Sequence, residues 1–432
     1  MMSIEDIYHF FLKSTGITTD SRKCKVGNLF FALKGDNFDG NLYAKSAIEN
    51  GCSYAFVDDP SLSKHENMIV VDSVLESLQQ LAKFHRIRLG IPVIGITGTN
   101  GKTTTKELVA AVLKKKYNVT STAGNLNNHI GVPLTLLSMT SETEIGIVEM
   151  GANHVGEIGF LCGIALPDYG IITNIGKAHI EGFGSYEGVI KAKSELYNYL
   201  KENKGSIFIN TSDKLLDRLA EGIAKYTYSA EKDIEADVSM LGLEQTPLLE
   251  LIWTHSNRTF DIETKIIGGY NALNILCSIC VGLKFEVPED DINDAIAAYE
   301  SDNNRSQIVK SKFNTILLDA YNANPSSMEV ALSNFESIAH QKKVVILGGM
   351  KELGHVSVDE HKKLCSQISK MDLYLSILVG REFLPALDIC KNLYFEDKNK
   401  LIEYLKNYPI KDSMILVKGS RSNELEKLKD DL

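Results

Sequence analysis

Residues 91–104 read Ile-Pro-Val-Ile-Gly-Ile-Thr-Gly-Thr-Asn-Gly-Lys-Thr-Thr, and this stretch decides the fold class. Its first half, Ile91–Thr97, is apolar and rich in β-branched residues, which predicts a buried strand. Glycines follow, and Thr103–Lys116 then has the pattern of a helix. A strand that runs through a glycine-rich turn into a helix is typical of a parallel α/β sheet. Such a turn can also hold phosphate oxygens with backbone N–H groups and the helix N-terminus.

Short apolar runs separated by helical stretches continue on both sides of this segment. The predicted strands are Leu29–Leu33, Tyr54–Val57, Met68–Val71, Ile145–Met150, Gly170–Thr173, Ser206–Ile209, Thr315–Leu318, Val344–Leu347, Leu373–Val379 and Met414–Val417, with antiparallel strands expected over Ala236–Ile267. Strands that alternate with helices predict doubly wound, mainly parallel α/β sheets. Ser357-Val-Asp-Glu360 predicts a capping box at the start of one helix.

The length of 432 residues suits three domains at about 150 residues each. We predict boundaries that give a first domain at 1–88, a second at 89–305 and a third at 306–432. Apolar residues make up 44% and charged residues 24%, which excludes general disorder. The net charge of −10 and the lack of a long basic run argue against a nucleic-acid partner held by a basic surface.

The same composition favours a cytoplasmic protein. The segment Met1–Lys13 carries Glu5 and Asp6 and lacks the pattern of a secretion signal. No apolar run approaches the eighteen or so residues of a membrane span. The seven scattered cysteines suit reduced thiols, and we expect Cys277 and Cys280 to pack in a core rather than to bind zinc.

The glycine-rich turn is a candidate phosphate loop. Lys102 would neutralise the β- and γ-phosphates of a nucleotide, and the Thr103 hydroxyl would take a magnesium position. A strict P-loop has glycine where Ile96 stands here, so the match is to a variant. The alternative is an ordinary glycine turn.

Polar groups also follow two other predicted strands. Ile145–Val148 runs into Glu149, and Ile171–Thr173 runs into a segment that reaches His179. Ligands of open parallel sheets bind beyond the carboxyl ends of the strands, so we expect these residues to converge on the phosphate loop. Glu149 offers the oxygen that Mg²⁺ prefers. The alternatives are a solvated carboxylate and an ordinary surface or core histidine.

Together these residues resemble those of the Mur ligases over nearly the whole chain. The resemblance rests on the following runs: Thr19-Asp-Ser-Arg22, Gly27-Asn-Leu-Phe30 and Asp39-Gly40; then Gly98-Thr-Asn-Gly-Lys-Thr103, Gly124-Asn-Leu-Asn-Asn128, Ile130-Gly-Val-Pro133, Glu149-Met-Gly-Ala152, His179 and Glu181-Gly-Phe-Gly184; then Tyr321-Asn-Ala-Asn-Pro325, Glu352-Leu-Gly354 and Lys418-Gly-Ser-Arg421. The Asn-Asn and Tyr-Asn-Ala-Asn-Pro runs indicate the branch of the family that adds D-alanyl-D-alanine.

The resemblance implies a three-domain α/β architecture with a central P-loop-type parallel sheet and a Rossmann-like C-terminal domain. It implies an ATP-dependent amide ligase that joins D-alanyl-D-alanine to UDP-N-acetylmuramoyl-tripeptide through an acyl phosphate, during peptidoglycan precursor synthesis. Two Mg²⁺ ions, a carbamylated lysine and a monomeric state are implied as well. The alternatives are another Mur-type or folylpolyglutamate-type ligase, and an ATP-dependent switch or scaffold without ligase activity.

The site residues implied by the resemblance fall into four groups. Those toward the nucleotide are Thr97, Gly98, Thr99, Asn100, Gly101, Lys102, Thr103, Asn271, Asn274, Arg305 and Asp319. Those toward magnesium are Thr103, Glu149, His179 and Lys193, and the catalytic set is Lys102, His179, Lys193 and Arg305. Those toward the substrate are Ser21 and Arg22, expected near its uridine diphosphate, and Asn125, Asn127 and Asn128, expected to face its sugar-peptide.

Lys193 falls where the family carries its carbamylated lysine. Burial lowers the pKa of lysine readily, and carbamate formation requires the neutral amine. Lys191 is the competing candidate at a different helix angle, and a solvated helix lysine is the alternative. The sequence departs from the family at Tyr270, where histidine is usual, and at Gly349, where aspartate is common. The third residue of the tripeptide is not determined by the sequence.

Overall fold

The structure is a computed structural model that describes residues 2–233, 235–245, 248–301, 305 and 307–432. Within these ranges the chain forms three main sheets and one short hairpin. The predicted boundary after residue 88 falls at the end of a helix. Ser306, where the third domain is predicted to begin, lies outside the described residues. Both domain boundaries stay predictions.

The first sheet is wholly parallel, with strand order β1-β2-β5-β6. Its strands and the hairpin are β1 (Ile17–Thr18), β2 (Leu29–Phe31), β3 (Lys34–Gly35), β4 (Phe38–Asp39), β5 (Tyr54–Val57) and β6 (Met68–Val70). Its helices are α1 (Ile4–Lys13), α2 (Ala44–Glu49) and α3 (Val74–Leu89). The predicted strands of this region are confirmed with small shifts at their ends.

The central sheet has the strand order β15-β14-β13-β12-β11-β10-β7-β9-β8. Its strands are β7 (Val93–Thr97), β8 (Val119–Ser121), β9 (Ile145–Glu149), β10 (Tyr169–Ile172), β11 (Ser206–Asn210), β12 (Ala224–Ser229), β13 (Val238–Gln245), β14 (Leu248–His255) and β15 (Arg258–Ile267). Its helices are α4 (Lys102–Leu113), α5 (Gly131–Leu137), α6 (Glu157–Ala165), α7 (Ile180–Phe183), α8 (Tyr186–Glu202), α9 (Lys214–Leu219), α10 (Asn271–Lys284) and α11 (Glu289–Ala298). The pairs β13–β14 and β14–β15 are antiparallel, as predicted for 236–267, and the others are parallel.

The third sheet has the strand order β16-β17-β21-β18-β19-β20, and only β16 is antiparallel within the described ranges. Its elements are β16 (Gln307–Lys310), β17 (Thr315–Asp319), α12 (Pro325–Ser337), β18 (Lys343–Gly348), α13 (Ser357–Ile368), β19 (Leu375–Val379), β20 (Leu393–Phe395), α14 (Lys398–Asn407) and β21 (Met414–Lys418). The two edge strands were not predicted because they are half-buried and their apolar runs are short, with Ile308 and Val309 in β16 and Leu393–Phe395 in β20.

The predicted capping box at Ser357 is wrong. Helix α13 begins at Ser357 itself, its N-cap is Val356, and no side chain caps it. A short 3₁₀ turn over Gly354–Val356 leads directly into the helix, so Ser357 already has helical geometry. The Ser357 carbonyl instead accepts a hydrogen bond from Nδ1 of the buried His361 at 2.7 Å.

The first sheet and the central sheet share an apolar core through α3, which packs against α5 and α6. Arg86 on α3 is buried, and its guanidinium donates to the Ala165 carbonyl at 3.1 Å and to the Asp168 carboxylate at 2.8 Å. These contacts hold the C-terminal end of α6 against the first unit. Cys277 and Cys280 are buried in the central core, as predicted. No helix in the described part of the chain has both the length and the apolarity needed to cross a membrane.

Candidate active site

A cavity of about 790 Å³ lies between the central sheet and the C-terminal sheet. The loops that follow β7, β9 and β10 line one side of it, and residues of β17, α12 and β21 line the other. The convergence expected at the carboxyl ends of the central strands is therefore present. The cavity brings the following predicted residues together: Gly98, Thr99, Asn100, Gly101, Lys102, Asn125, Asn127, Asn128, Glu149, His179, Lys193, Asn271, Asn274, Arg305 and Asp319.

Two positions in the turn after β7 require glycine. Gly98 has φ +143°, and a Cβ there would lie 2.0 Å from Oγ1 of Thr173. Gly101, the N-cap of α4, has φ +79°, and a Cβ there would lie 2.8 Å from Oδ1 of Asn274. These close approaches place the N-terminus of α4 at the cavity, where its free N–H groups can meet an anion.

Lys102 occupies the centre of this loop. Its Nζ donates to the carbonyls of Gly98 at 2.8 Å and Thr99 at 2.9 Å. Burial lowers its pKa to about 8; the Glu149 carboxylate opposes this shift and the Arg305 guanidinium adds to it. The ammonium group therefore lies at the cavity without an ion pair among the described residues, ready to meet a negative charge.

Two predicted loop residues do not line the cavity. Thr97 is buried in β7, and its hydroxyl donates to the Met150 carbonyl at 2.8 Å. Thr103 is buried in the first turn of α4, whereas its neighbour Thr104 lines the cavity. Successive helical residues point about 100° apart, and in this structure Thr104 rather than Thr103 is the one turned toward the cavity.

Glu149 is buried at the end of β9. Its Oε1 accepts a hydrogen bond from Nδ2 of Asn127 at 2.8 Å, and its Oε2 has no hydrogen-bond partner among the described residues. Asn128 also lines the cavity, but its Oδ1 accepts from the N–H groups of Ile130 and Gly131 and so shapes the turn before α5.

His179 stands at the N-terminus of α7 with φ +51°, and its Nδ1 contacts the carboxylate of Glu352 from the C-terminal unit. Burial lowers the pKa of His179, the Glu352 carboxylate opposes this shift, and the Lys102 ammonium adds to it. Glu352 belongs to the run Glu352-Leu-Gly354 that carries the family resemblance, but the sequence pattern does not indicate a role for it. Its position beside His179 depends on how the two sheets pack.

Lys193 on α8 is 3% exposed and faces the cavity. Burial, with the Lys102 ammonium second, lowers its pKa to about 7. Its Nζ lies 5.4 Å from the ring centroid of Phe183 and forms no hydrogen bond or ion pair within the described residues. Lys191 is exposed on another face of the same helix.

The nucleotide-side residues come from two units. On α10, Nδ2 of Asn274 donates to Oδ1 of Asn271 at 2.8 Å, and Thr105 donates to Oδ1 of Asn274 at 3.1 Å. The Arg305 guanidinium lies 3.8 Å from the ring centroid of Tyr321, and its Nε has no hydrogen-bond partner among the described residues.

Asp319, at the end of β17, forms an ion pair with the buried Lys418 of β21. Tyr321 and Lys418 both line the cavity, and sequence reasoning gave neither of them a role. Each belongs to a run that carries the family resemblance, and membership in such a run is the feature of the sequence that could have indicated a functional role.

Ser21 and Arg22 do not line the cavity. They lie on a short 3₁₀ turn, where the Arg22 side chain is 86% exposed and pairs with Asp20 at 2.9 Å. The arginine is therefore accessible on the surface of the first unit. Its role toward a substrate stays a prediction.

The chain matches three families of domains in order. These are "Mur ligase family, catalytic domain" over residues 13–86, "Mur ligase middle domain" over 96–282 and "Mur ligase, glutamate ligase domain" over 304–421. It is 35% identical to the UDP-N-acetylmuramoyl-tripeptide--D-alanyl-D-alanine ligase of Bacillus subtilis, with 96% of this chain and 93% of that protein covered. The corresponding figures for the ligase of Escherichia coli are 33%, 95% and 92%.

Solved structures agree with these matches. MurF from Acinetobacter baumannii superposes with a TM-score of 0.87 at 29% identity, covering 96% of this chain and 92% of that one. MurF ligase from Thermotoga maritima, solved in complex with ADP, gives a TM-score of 0.84 at 26% identity and covers 98% of both chains. The chain thus belongs to the Mur ligase family, and within that family it groups with the MurF ligases.

Proposed function

We propose that this protein uses ATP to join D-alanyl-D-alanine to the tripeptide carboxylate of UDP-N-acetylmuramoyl-tripeptide. The observation that carries the proposal is that one cavity is lined by Lys102, Glu149, Lys193 and Arg305 together. The relatives that match over nearly their whole length bear the name of this reaction.

The first requirement of the reaction is to bring two anions together. A carboxylate and the triphosphate of ATP repel each other, so their approach depends on positive charge around the transferring phosphoryl group. Lys102 and Arg305 both line the cavity and supply such charge, and the N–H groups at the start of α4 add to it. Lys193 is a further buried cation in this cavity.

The residues present also fit Mg²⁺. A buried carboxylate oxygen without a donor, such as Oε2 of Glu149, is costly unless a cation meets it. No three His, Cys, Asp or Glu side chains form a metal cluster in the described ranges, and Mg²⁺ commonly takes most of its ligands from phosphate and water. Glu149 with a threonine of α4 would hold one ion, and His179 with Lys193 a second. Bound Mg²⁺ would neutralise phosphate charge.

A carbamate on Lys193 is part of the proposal. Burial lowers the pKa of Lys193 to about 7, so the neutral amine is far more accessible near neutral pH than in an ordinary lysine, whose pKa is near 10.4. The neutral amine nitrogen attacks the carbon of CO₂ and loses a proton, which leaves a carbamate anion where the protonated side chain would be an unpaired buried cation. An anion at this place would complement Lys102 and a metal ion at once.

The chemistry then proceeds in two displacements. An oxygen of the tripeptide carboxylate attacks the γ-phosphorus, and the bond between that phosphorus and the β-phosphate oxygen breaks. ADP departs, and the tripeptide becomes an acyl phosphate. The amine nitrogen of D-alanyl-D-alanine attacks the acyl carbon, phosphate leaves, and the nitrogen loses a proton. None of the cavity residues needs to act as a covalent nucleophile because ATP activates the carboxylate.

The test supplies purified protein with UDP-N-acetylmuramoyl-tripeptide, D-alanyl-D-alanine, ATP and Mg²⁺, and measures the condensed pentapeptide by mass spectrometry. Phosphate release should require both the acceptor and the dipeptide. Equal phosphate release without the dipeptide would favour the switch or scaffold instead. A parallel panel that varies only the third tripeptide residue, diaminopimelate against lysine, would define the acceptor.

A further inference from the structure

The backbone of the phosphate loop is locked at Asn100. Its N–H donates to Oδ1 of Asn174 at 3.0 Å, and its carbonyl accepts from Oγ1 of Thr173 at 2.6 Å and from Nδ2 of Asn174 at 3.0 Å. The N–H group of Asn100 is therefore engaged with the loop after β10 and is not available to a phosphate oxygen. This residue has a different task from its neighbours in the loop.

The side chain of Asn100 points to that task. Its Oδ1 accepts a hydrogen bond at 2.9 Å from Nδ2 of Asn324, which belongs to the C-terminal unit. Asn324 is 7% exposed and is also the N-cap of α12, because its Oδ1 accepts from the N–H of Ser327 at 2.8 Å. One buried side chain thus joins the start of α12 to the phosphate loop.

A second contact holds α12 in the same place. The hydroxyl of Ser326 donates to the Lys177 carbonyl at 3.3 Å, and a Cβ at Gly176 would lie 2.7 Å from that hydroxyl oxygen. The N-terminus of α12 therefore docks against two loops of the central unit, one after β7 and one after β10. A side chain at position 176 would push it away.

We propose that Asn324 is a positioning residue for the Asn100 side chain, and that the phosphate loop reaches its full affinity for nucleotide only when α12 is docked against it. The Lys102 ammonium is held by carbonyls of the same loop, so a displacement of Asn100 also displaces the charge that meets the phosphates. By linkage, bound nucleotide then favours the docked arrangement by the same factor by which docking favours nucleotide. The proposal rests on the proposed use of ATP.

The two tasks of Asn324 can be separated by substitution. Serine is also a good N-cap, so Asn324→Ser keeps an acceptor for α12, but its side chain is too short to reach Asn100. Asn100→Ala removes the acceptor from the other side. Ser333→Ala is the matched control, because Ser333 is exposed on α12 and its hydroxyl bonds only to Glu329 within that helix.

The experiment is a double-mutant cycle that measures the affinity for a non-hydrolysable ATP analogue with Mg²⁺ by calorimetry, without tripeptide or dipeptide. Each single variant should weaken binding by about fivefold to tenfold, the change that corresponds to one lost hydrogen bond. The double variant should bind the ATP analogue about as tightly as the single variant of lower affinity, because both substitutions remove the same interaction. Ser333→Ala should bind like the unmodified protein, and melting temperatures of all variants should differ little.

Losses that multiply in the double variant would overturn the proposal, and so would unchanged affinity in Asn324→Ser. A purely structural role would lower the melting temperature without the coupling between the two asparagines. A different result would show that the proposed function is wrong. In that case the unmodified protein would bind the nucleotide and the variants would show the coupling between Asn100 and Asn324, but no pentapeptide would form.

Discussion

Two buried lysines define the electrostatics of the site at the scale of single residues. Lys102 and Lys193 both have pKa values lowered mainly by burial, and neither forms an ion pair within the described residues. An unpaired buried charge is unfavourable in a protein, so such groups are kept where a ligand or a modification will compensate for them. The cavity is thus prepared for polyanionic substrates.

Lys102→Ala should abolish turnover while the fold persists. One cation at a transferring phosphoryl group contributes on the order of a hundredfold to a thousandfold in rate. The melting temperature should stay equal or rise, because the substitution removes a buried charge. Phosphate release and thermal melting provide the measurements, with the exposed Lys114→Ala on the same helix region as control. A kcat close to normal would show that the loop is structural.

Lys193→Ala tests the carbamate. If Lys193 is modified, the substitution removes an anion, so activity should fall steeply and added acetate should partly restore it by filling the vacated place. Steady-state ligation rates with increasing acetate are the measurement. Acetate should have no such effect on the unmodified protein.

Lys191→Ala is the control for that experiment. The two lysines point about 200° apart on the helix, and Lys191 is exposed, so its substitution should be mild. If Lys191→Ala is inactive and Lys193→Ala is active, the carbamylated lysine is Lys191 and not Lys193. Loss of activity in Lys193→Ala without any acetate rescue would count against the carbamate.

At the scale of elements, the loop after β18 explains the glycine at position 349. A Cβ there would lie 2.3 Å from Oε2 of Glu382, whose other oxygen pairs with Lys351. The Glu382 carboxylate therefore occupies the space that an aspartate at position 349 would need. Glycine therefore replaces the aspartate that is common in the family at position 349, and the Glu382 carboxylate fills the space beside it.

Gly349→Asp should consequently destabilise the protein by about 1–3 kcal/mol through overcrowding and like-charge repulsion. The double substitution Gly349→Asp with Glu382→Ala should recover part of the lost stability, because it frees that space. Thermal unfolding of the single and double variants measures both effects. A double variant less stable than Gly349→Asp alone would contradict this explanation.

At the scale of the whole molecule, the site is divided between two units. Lys102 and Glu149 belong to the central sheet, whereas Asp319, Tyr321 and Lys418 belong to the C-terminal sheet. The first unit is fixed to the central one through Arg86 and an extensive shared core, whereas the C-terminal unit meets the central one through polar contacts around the cavity and a few apolar contacts, those of Ile267 and Val356. Relative motion is therefore expected between the last two units.

Small-angle scattering with and without an ATP analogue plus UDP-N-acetylmuramoyl-tripeptide should show compaction on binding. The radius of gyration of the liganded protein should match the arrangement described here, with α12 docked on the phosphate loop. Identical scattering profiles in both states would count against closure. ADP alone is a useful intermediate condition, because it occupies only the nucleotide side.

Local patterns predicted much of the fold. Buried parallel strands such as β7 and β9 are continuous apolar runs, and the turn at 98–101 has the glycines that its backbone requires. Edge strands such as β16 and β20 are half-buried, and their apolar runs of two or three residues are too short to predict a strand. The capping box failed at Ser357 because the preceding turn, which no local rule indicated, already continued into the helix.

The sequence by itself determined the α/β class, the phosphate loop and the family, because these depend on local stereochemistry and on motifs of adjacent residues. Only the tertiary structure decided that Thr104 rather than Thr103 lines the cavity, that Lys193 is buried while Lys191 is exposed, and that Asn324 and Glu352 reach the central unit. Those outcomes depend on how helices and sheets far apart in the chain pack against each other. Packing sets burial, and burial sets which charges remain unpaired and therefore chemically useful.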